Sequence, residues 1–311
     1  MTATQAINSN DKALPRAGIK QAGPAALPSG IEPLTEFLLK AEGRGLITWL
    51  SPDNHEAYEL IRREIELTPL PGDTHLVFGL EHHVVAQLAL INELFSMGSD
   101  AQSVSGLSYL AMEYPRFIPE GLDAQYLLDQ YLTTGDPRYR PVPCSTDQLT
   151  PAEGGVMLDL LESARSNDFG LVLTGVTAEL SDHWLAELPQ ADWLAARESF
   201  AVKVLSQYLS GGLPEVIAWT WGSIHASAER LPYFIASVEA QARVISIVLN
   251  GGRVNCHQGF DRAVSQLGWQ QQGFILELNG FREAQYVIHL PAEGTCGPES
   301  GPVWSTLQPL Y

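Results

Sequence analysis

Short apolar runs alternate along this chain with segments of helical periodicity, and this alternation limits the possible folds more than any other feature. The apolar runs are nearly continuous in apolar residues rather than alternating with polar ones, which is typical of strands buried on both faces. Such strands require covering layers on both sides of a sheet. They are predicted at Thr74–Gly79, Leu107–Met112, Phe169–Thr174, Glu215–Trp221, Arg243–Asn250, Gly273–Leu278 and Ala284–Leu290.

Helical spacing of apolar residues separates these runs. One helix start is marked by Thr150 as N-cap, Pro151 at the first position and Glu153 completing a capping box. Strand–helix alternation predicts an α/β fold, with a mostly parallel central sheet flanked by helices on both faces. The helices are predicted at Glu32–Ala41, Asn54–Leu67, Val84–Met97, Gly121–Thr133, Thr150–Arg165, Ala191–Ser210, Leu231–Ala242 and Asp261–Leu267.

The length and apolar content are sufficient for one substantial core. The chain has 311 residues, of which 45% are apolar. Residues 1–30 are rich in small and polar residues without periodicity, so we expect a flexible N-terminal tail. Residues 31–311 are then predicted to form a single α/β domain.

Charge and cysteine content restrict the partners and the compartment. With 18 basic and 36 acidic residues, the net charge is −18, which argues against nucleic acid and anionic membranes as partners. The three cysteines, Cys144, Cys256 and Cys296, are odd in number and include no CxxC pair, which favours reduced thiols. Because the N-terminus also lacks an apolar signal-peptide core, we expect a cytoplasmic protein. The oligomeric state is left open.

Polar side chains cluster after several predicted strands. Glu81 and His82 follow the first strand, Glu113 follows the second, and His225 follows the strand that ends at Trp221. Ligands in open α/β sheets bind outside the carboxyl ends of the strands. Imidazole can act as a general base or metal ligand, and a nearby carboxylate can orient it. The sequence therefore predicts a cleft of imidazoles and carboxylates at this edge of the sheet.

Several other catalytic patterns are absent from the sequence. It contains no GxSxG elbow, no GxxxxGK[ST] loop, no HExxH and no GxGxxG after a strand. Serine-hydrolase chemistry of the elbow type, phosphate cradling and dinucleotide binding are therefore disfavoured.

The polar residues also occur in an order that resembles a known superfamily. Two Gly-x-x-His turns flank a strand-end glutamate and a helical Arg-Glu pair, over roughly Thr74 to Pro291. The chain in this respect resembles the superfamily that groups erythromycin esterases, ChaN-like haem-binding proteins and Tiki-type proteases. The residues that carry the resemblance are Gly79, His82, Glu113, Arg197, Glu198, Gly222 and His225.

This resemblance implies a catalytic cleft of His82, Glu113, Arg197 and His225. It implies hydrolysis of a small-molecule ester or a peptide-type substrate, with a histidine–glutamate pair activating water. Arg197 and the second histidine would stabilise the oxyanion. A divalent metal (zinc, manganese or iron) held by His82, Glu113 and His225, with Glu81 as a further ligand, would lower the pKa of bound water.

The sequence is also compatible with two functions other than catalysis. The cleft could bind haem or a metal without turnover, with Tyr114 or a histidine as the axial ligand. The chain could instead act through protein interaction. The direction of Glu81 also stays open, because neighbours in an extended strand point to opposite sides unless a turn re-aims them. His75 and His289 are expected to be structural or surface residues.

Overall fold

The structure is a computed structural model, and it describes residues 25–67, 72–81, 84–96, 107–115, 124–139, 151–175, 190–209, 214–252, 259–278 and 280–292. The described strands form one eight-stranded sheet. They are β1 (Ile47–Trp49), β2 (Thr74–Leu80), β3 (Leu107–Pro115), β4 (Gly170–Gly175), β5 (Val216–Gly222), β6 (Arg243–Gly251), β7 (Phe274–Glu277) and β8 (Tyr286–Leu290).

The sheet is mostly parallel, as the sequence predicted. Its strand order is β1-β7-β8-β6-β2-β5-β3-β4. Strands β8, β6, β2, β5, β3 and β4 pair in parallel, and only the β1–β7 and β7–β8 ladders are antiparallel. The short edge strand β1 is missing from the sequence prediction, because its three residues form no apolar run of strand length.

Helices cover both faces, which confirms the predicted layers. They are α1 (Ile31–Gly43), α2 (His55–Glu66), α3 (Val85–Ser96), α4 (Ala124–Thr134), α5 (Pro151–Asn167), α6 (Gln190–Leu205), α7 (Leu231–Val238) and α8 (Gly259–Gln266). One core cluster joins the sheet to α2, α3, α4 and α5, and the other joins it to α1, α6, α7 and α8. None of the described helices is long and apolar enough to cross a membrane.

Burial along β2 explains why the strands read as continuous apolar runs. All seven of its residues are buried. Leu76 and Phe78 pack in the first core cluster, whereas Val77 between them packs in the second. Because successive side chains point to opposite faces, a strand with a core on each side needs apolar residues at every position.

The last residues of the predicted flexible N-terminal tail pack against the rest of the chain in the structure. Ala25 forms a parallel bridge with Phe281, and the Leu27 backbone N–H donates to Glu283 Oε1 at 3.1 Å. Leu27 is buried in the second core cluster. The segment from residue 25 is therefore part of the packed structure, while the predicted tail at residues 1–24 lies outside the described residues.

Strand β4 lies at one end of the sheet, where its backbone would otherwise lack partners. The Gln125 side chain from α4 supplies them: its Nε2 donates to the Leu171 carbonyl at 2.8 Å, and its Oε1 accepts from the Leu173 N–H at 2.6 Å. Gln125 is buried. One amide thus takes the place of a neighbouring strand at this edge.

Replacing Gln125 by leucine is expected to destabilise the protein, because the Leu171 C=O and Leu173 N–H lose their side-chain partners. A buried group without a partner costs about 1–3 kcal/mol. Urea unfolding measures this loss. The matched control is Gln130→Leu, at a half-buried position of the same helix. Equal losses in the two variants would contradict the assigned role of Gln125.

Candidate functional site

Three elements deliver polar side chains to the carboxyl edge of the sheet. Glu113 lies near the end of β3, and His225 lies in a short 3-10 turn, Ser223–Ala226, that follows β5. Arg197 and Glu198 lie on α6, which leads back to β5. Because β3 and β5 are parallel neighbours, their last residues reach the same edge. Glu113, Arg197 and His225, predicted from sequence to share a site, are thus brought together.

Glu113 is held by a donor on each oxygen. Arg197 Nη2 donates to Oε1 at 2.5 Å, and the Gly222 backbone N–H donates to Oε2 at 2.7 Å. Both carboxyl oxygens are therefore held by donors, which fixes the position of Glu113 at the edge of the sheet.

His225 lies between two carboxylates. Its Nδ1 is 2.5 Å from Glu198 Oε1, and its Nε2 is 3.6 Å from Glu113 Oε1. An ionised carboxylate only accepts hydrogen bonds, so Nδ1 carries the proton and its N–H donates a hydrogen bond to Glu198 Oε1. Both residues are fully buried. The ring is thereby fixed in orientation, with Nε2 directed towards Glu113.

Two tryptophans line the arginine side of the site. Trp193 lies four residues before Arg197 on α6, and the Arg197 guanidinium carbon is 4.7 Å from the Trp193 ring centroid. The same carbon is 5.8 Å from the ring of Trp221. Trp221 also meets His225 edge-on at 4.9 Å, and its Nε1–H donates to Thr174 at 3.0 Å. These contacts hold Arg197 and His225 in place.

Gly79 in β2 allows the turn that carries His225 to lie directly on the sheet. A Cβ at this position would come within 2.8 Å of both Ser223 Cα and Ala226 Cβ. Neither contact can be relieved by rotating a flexible side chain. The structure thus identifies the 3-10 turn as the segment that requires a glycine at this position.

Gly79→Ala is expected to displace the 3-10 turn and with it His225. Overpacking of this kind costs about 1–3 kcal/mol, and urea unfolding measures this loss of stability. Gly43→Ala is the control, since its Cβ would meet nothing within 4 Å. A Gly79→Ala variant as stable as Gly43→Ala would contradict this role.

The other predicted site residues are His82, Glu81 and Tyr114. His82 lies outside the described residues. Glu81 is buried directly after β2, and its backbone N–H donates to Gln87 Oε1 at 2.7 Å. Tyr114 is half-buried and packs against the first core cluster, whereas Ala226 beside His225 packs in the second.

The sequence prediction did not include Glu198 among the site residues, although it noted the Arg-Glu pair. Adjacent residues on a helix point about 100° apart, so Arg197 can reach Glu113 while Glu198 reaches His225. A glutamate on a helix is usually assigned to the solvent face. The available signal was the position of this carboxylate on a helix that packs against the polar edge.

The described residues meet the requirements of a metal site only in part. His225 donates Nδ1–H to a carboxylate, as metal-binding histidines usually do, and leaves Nε2 for a ligand bond. Glu113, however, already shares its oxygens with Arg197 and Gly222. A divalent cation would have to share this carboxylate with a guanidinium.

A second group of side chains that could hold a metal lies at the opposite edge of the sheet. Asp73, His75 and Glu239 offer ligand atoms within 4.8 Å of one another. His75 Nε2 lies 2.8 Å from Glu239 Oε2, and the Trp219 indole N–H donates to His75 Nδ1 at 3.0 Å. Since an indole N–H only donates, Nε2 carries the proton here, and a metal would have to replace that proton.

No family model and no curated protein sequence matches the chain. Three solved structures show structural similarity to parts of this chain. An erythromycin esterase mutant, EreC in its open conformation, is 9% identical, with a TM-score of 0.49 over 78% of this chain and 95% of that chain. RRSP, a MARTX toxin effector domain from Vibrio vulnificus CMCP6, is 20% identical, with a TM-score of 0.38 over 61% of this chain and 35% of that chain. The type III effector HopBA1 is 12% identical, with a TM-score of 0.37 over 70% of this chain and 88% of that chain. At these identities and scores, the chemistry of this chain has to be inferred from its own side chains.

Proposed function

We propose that the protein is a hydrolase that acts on a small-molecule ester or a peptide-type substrate. The observation that carries the proposal is the position of His225: buried Glu198 holds its Nδ1, and its Nε2 is directed towards Glu113 at the carboxyl edge of the sheet. A histidine oriented by a carboxylate on one nitrogen can use the other as a general base.

In the first step, His225 Nε2 takes a proton from water as the water oxygen attacks the substrate carbonyl. The positive charge that forms on the imidazole is stabilised by Glu198 at Nδ1 and by Glu113 near Nε2. In the second step, the carbonyl re-forms, the bond to the leaving group breaks, and Nε2–H returns the proton to the leaving oxygen or nitrogen. His225 ends as it began, so the cycle balances.

Arg197 contributes positive charge next to the reacting centre. One of its nitrogens donates to Glu113. A guanidinium carries five N–H donors, so others remain available for the negative charge that develops on the substrate carbonyl oxygen. Trp193 and Trp221 restrict its rotation, which favours a fixed direction for these donors.

Metal dependence is a separate part of the proposal. If a divalent ion is bound, His225 Nε2 and Glu113 would hold it, and the ion would lower the pKa of a bound water. Glu198 would still orient the imidazole, and Arg197 would still pair with Glu113, but a metal on Nε2 would occupy the lone pair of His225, so the bound metal would then replace His225 in activating the water.

Hydrolysis of simple probes tests the proposal. Purified full-length protein should cleave p-nitrophenyl acetate or an aminomethylcoumarin peptide amide above the buffer rate. Rates before and after EDTA treatment show whether metal is needed. Absence of cleavage of both probes, with and without added zinc, manganese or iron, would contradict the proposal for these substrate classes.

Binding without turnover is the second candidate function. Asp73, His75 and Glu239 offer ligand atoms close enough to hold one metal ion, so this group supports metal binding rather than haem binding. Elemental analysis of the purified protein should show stoichiometric metal if this function is correct, and loss of that metal in Glu239→Gln would place it. Haem titration without a Soret band would remove the haem alternative.

A cytoplasmic location remains a proposal that the odd number and wide spacing of the cysteines support. All three cysteines lie outside the described residues.

A further inference from the structure

Glu198 is a buried carboxylate with one oxygen in use. Its Oε1 accepts from His225 Nδ1, and its Oε2 has no hydrogen-bond partner among the described residues. The side chain is wholly buried. Isolated burial of a carboxylate is costly, so the charge of Glu198 needs a compensating cation nearby.

Arg230 supplies that cation. Its Nη1 lies 4.0 Å from Glu198 Oε2, and its side chain is only 13% exposed. Arg197, the neighbour of Glu198 in sequence, is directed instead to Glu113. Among the described ion pairs of Glu198, Arg230 is therefore the partner that carries a permanent charge, whereas His225 is the group that has to exchange a proton.

Backbone hydrogen bonds fix the position of the Arg230 Cα atom. The Arg230 N–H donates to the Ser227 carbonyl at 2.9 Å, and its own carbonyl accepts from Tyr233 at 2.9 Å and from Phe234 at 3.2 Å. The Ala228 N–H donates to the Arg282 carbonyl at 2.8 Å. The segment between the 3-10 turn and α7 is thus held at several points, which limits the positions open to the guanidinium.

We propose that Arg230 is a positioning residue for the general base, an inference that rests on the proposed function. Its guanidinium lies next to Glu198 Oε2, while Glu198 Oε1 accepts a hydrogen bond from His225 Nδ1–H. The proton then stays on Nδ1, and the lone pair stays on Nε2, where water is activated. Without the charge of Arg230, the negative charge of the buried Glu198 side chain has no permanent positive charge beside it. The imidazole of His225 then loses its fixed tautomer and orientation.

The first test compares Arg230→Gln with Arg230→Lys in the full-length protein. Arg230→Gln should lower kcat by about 10–100-fold, the range typical of partners that orient a functional histidine. KM should change little, because the proposed effect of Arg230 is exerted through Glu198 and not through a contact with substrate. Arg230→Lys, which keeps the charge, should retain most of the activity. Arg282→Gln is the control, since Arg282 pairs with Glu283 rather than with Glu198.

The second test needs no turnover. In protein labelled with ¹⁵N-histidine, His225 should show one protonated nitrogen and one unprotonated nitrogen, with the far-downfield proton signal of a short hydrogen bond to a carboxylate. Arg230→Gln should weaken or move this signal, and Arg230→Lys and Arg282→Gln should not.

The outcomes separate the two proposals. If no probe is hydrolysed by any form, the proposed function fails, and the His225 signal still decides the role of Arg230. If Arg230→Gln matches Arg282→Gln in the His225 signal, the inference is overturned. It is also overturned if Arg230→Lys loses kcat or the signal as fully as Arg230→Gln, because charge would then not be the cause.

Discussion

Replacing His225 by glutamine is expected to lower the rate of ester or amide hydrolysis by about 10²–10⁴-fold. Glutamine fills part of the imidazole volume and can hydrogen-bond to Glu198, but it has no nitrogen that accepts a proton near neutral pH. The loss should appear mainly in kcat, since His225 acts on the attacking water. Initial rates with saturating p-nitrophenyl acetate measure it.

His55→Gln is the matched control for this experiment. His55 begins α2 and is only half-buried, away from the 3-10 turn. The control should retain the rate of the unchanged protein, and circular dichroism should show both variants folded. A folded His225→Gln variant with more than about half of the original rate would remove general-base catalysis by this residue.

Acid is expected to destabilise the protein through His289. This residue is buried on β8 and its Nδ1 accepts from Asn250 Nδ2 at 2.9 Å, while the ring stacks on Phe274. Burial lowers the pKa of His289 from 6.5 to about 4. Between these pH values the unfolded chain binds a proton that the folded protein does not bind. Stability is therefore complete above pH 6.5 and falls as the pH drops towards 4.

The size of the effect follows from the shift. A change of about 2.5 pKa units corresponds to roughly 3 kcal/mol at pH 4 and roughly 2 kcal/mol at pH 5. Urea unfolding at pH 7 and pH 5 measures it. Carboxylates also contribute to acid sensitivity, so the comparison is with His289→Gln, which cannot protonate. This variant should be less stable at pH 7 and should lose less on acidification. An equal loss in both proteins would contradict the assignment.

Much of the fold was predictable because burial leaves a simple mark on the sequence. A strand with a core on both faces, such as β2, must be apolar throughout, and that pattern is visible without a structure. The three-residue strand β1 has no such pattern, since its pairing with β7 depends on tertiary contact. The sequence pattern also predicted too short a β3. The strand extends to Pro115 instead of ending at Met112, so Glu113 lies within the strand and not after it.

The candidate site was predictable where strand ends determine it. Glu113 and His225 follow from the rule that parallel strands end at one edge. Glu198 does not, because its burial depends on how α6 rotates against the sheet and on the counter-charge of Arg230, 32 positions away in the sequence. The predicted role of His82 stays a prediction, since this residue lies outside the described part of the chain.

The most direct measurement is a crystal structure of the protein with a methylphosphonate, which imitates the tetrahedral intermediate of ester hydrolysis. We expect a phosphonate oxygen about 2.6–3.2 Å from His225 Nε2, with Nδ1 still hydrogen-bonded to Glu198. A phosphonate seated elsewhere, or a His225 ring whose Nε2 packs against apolar neighbours and turns away from Glu113, would contradict it.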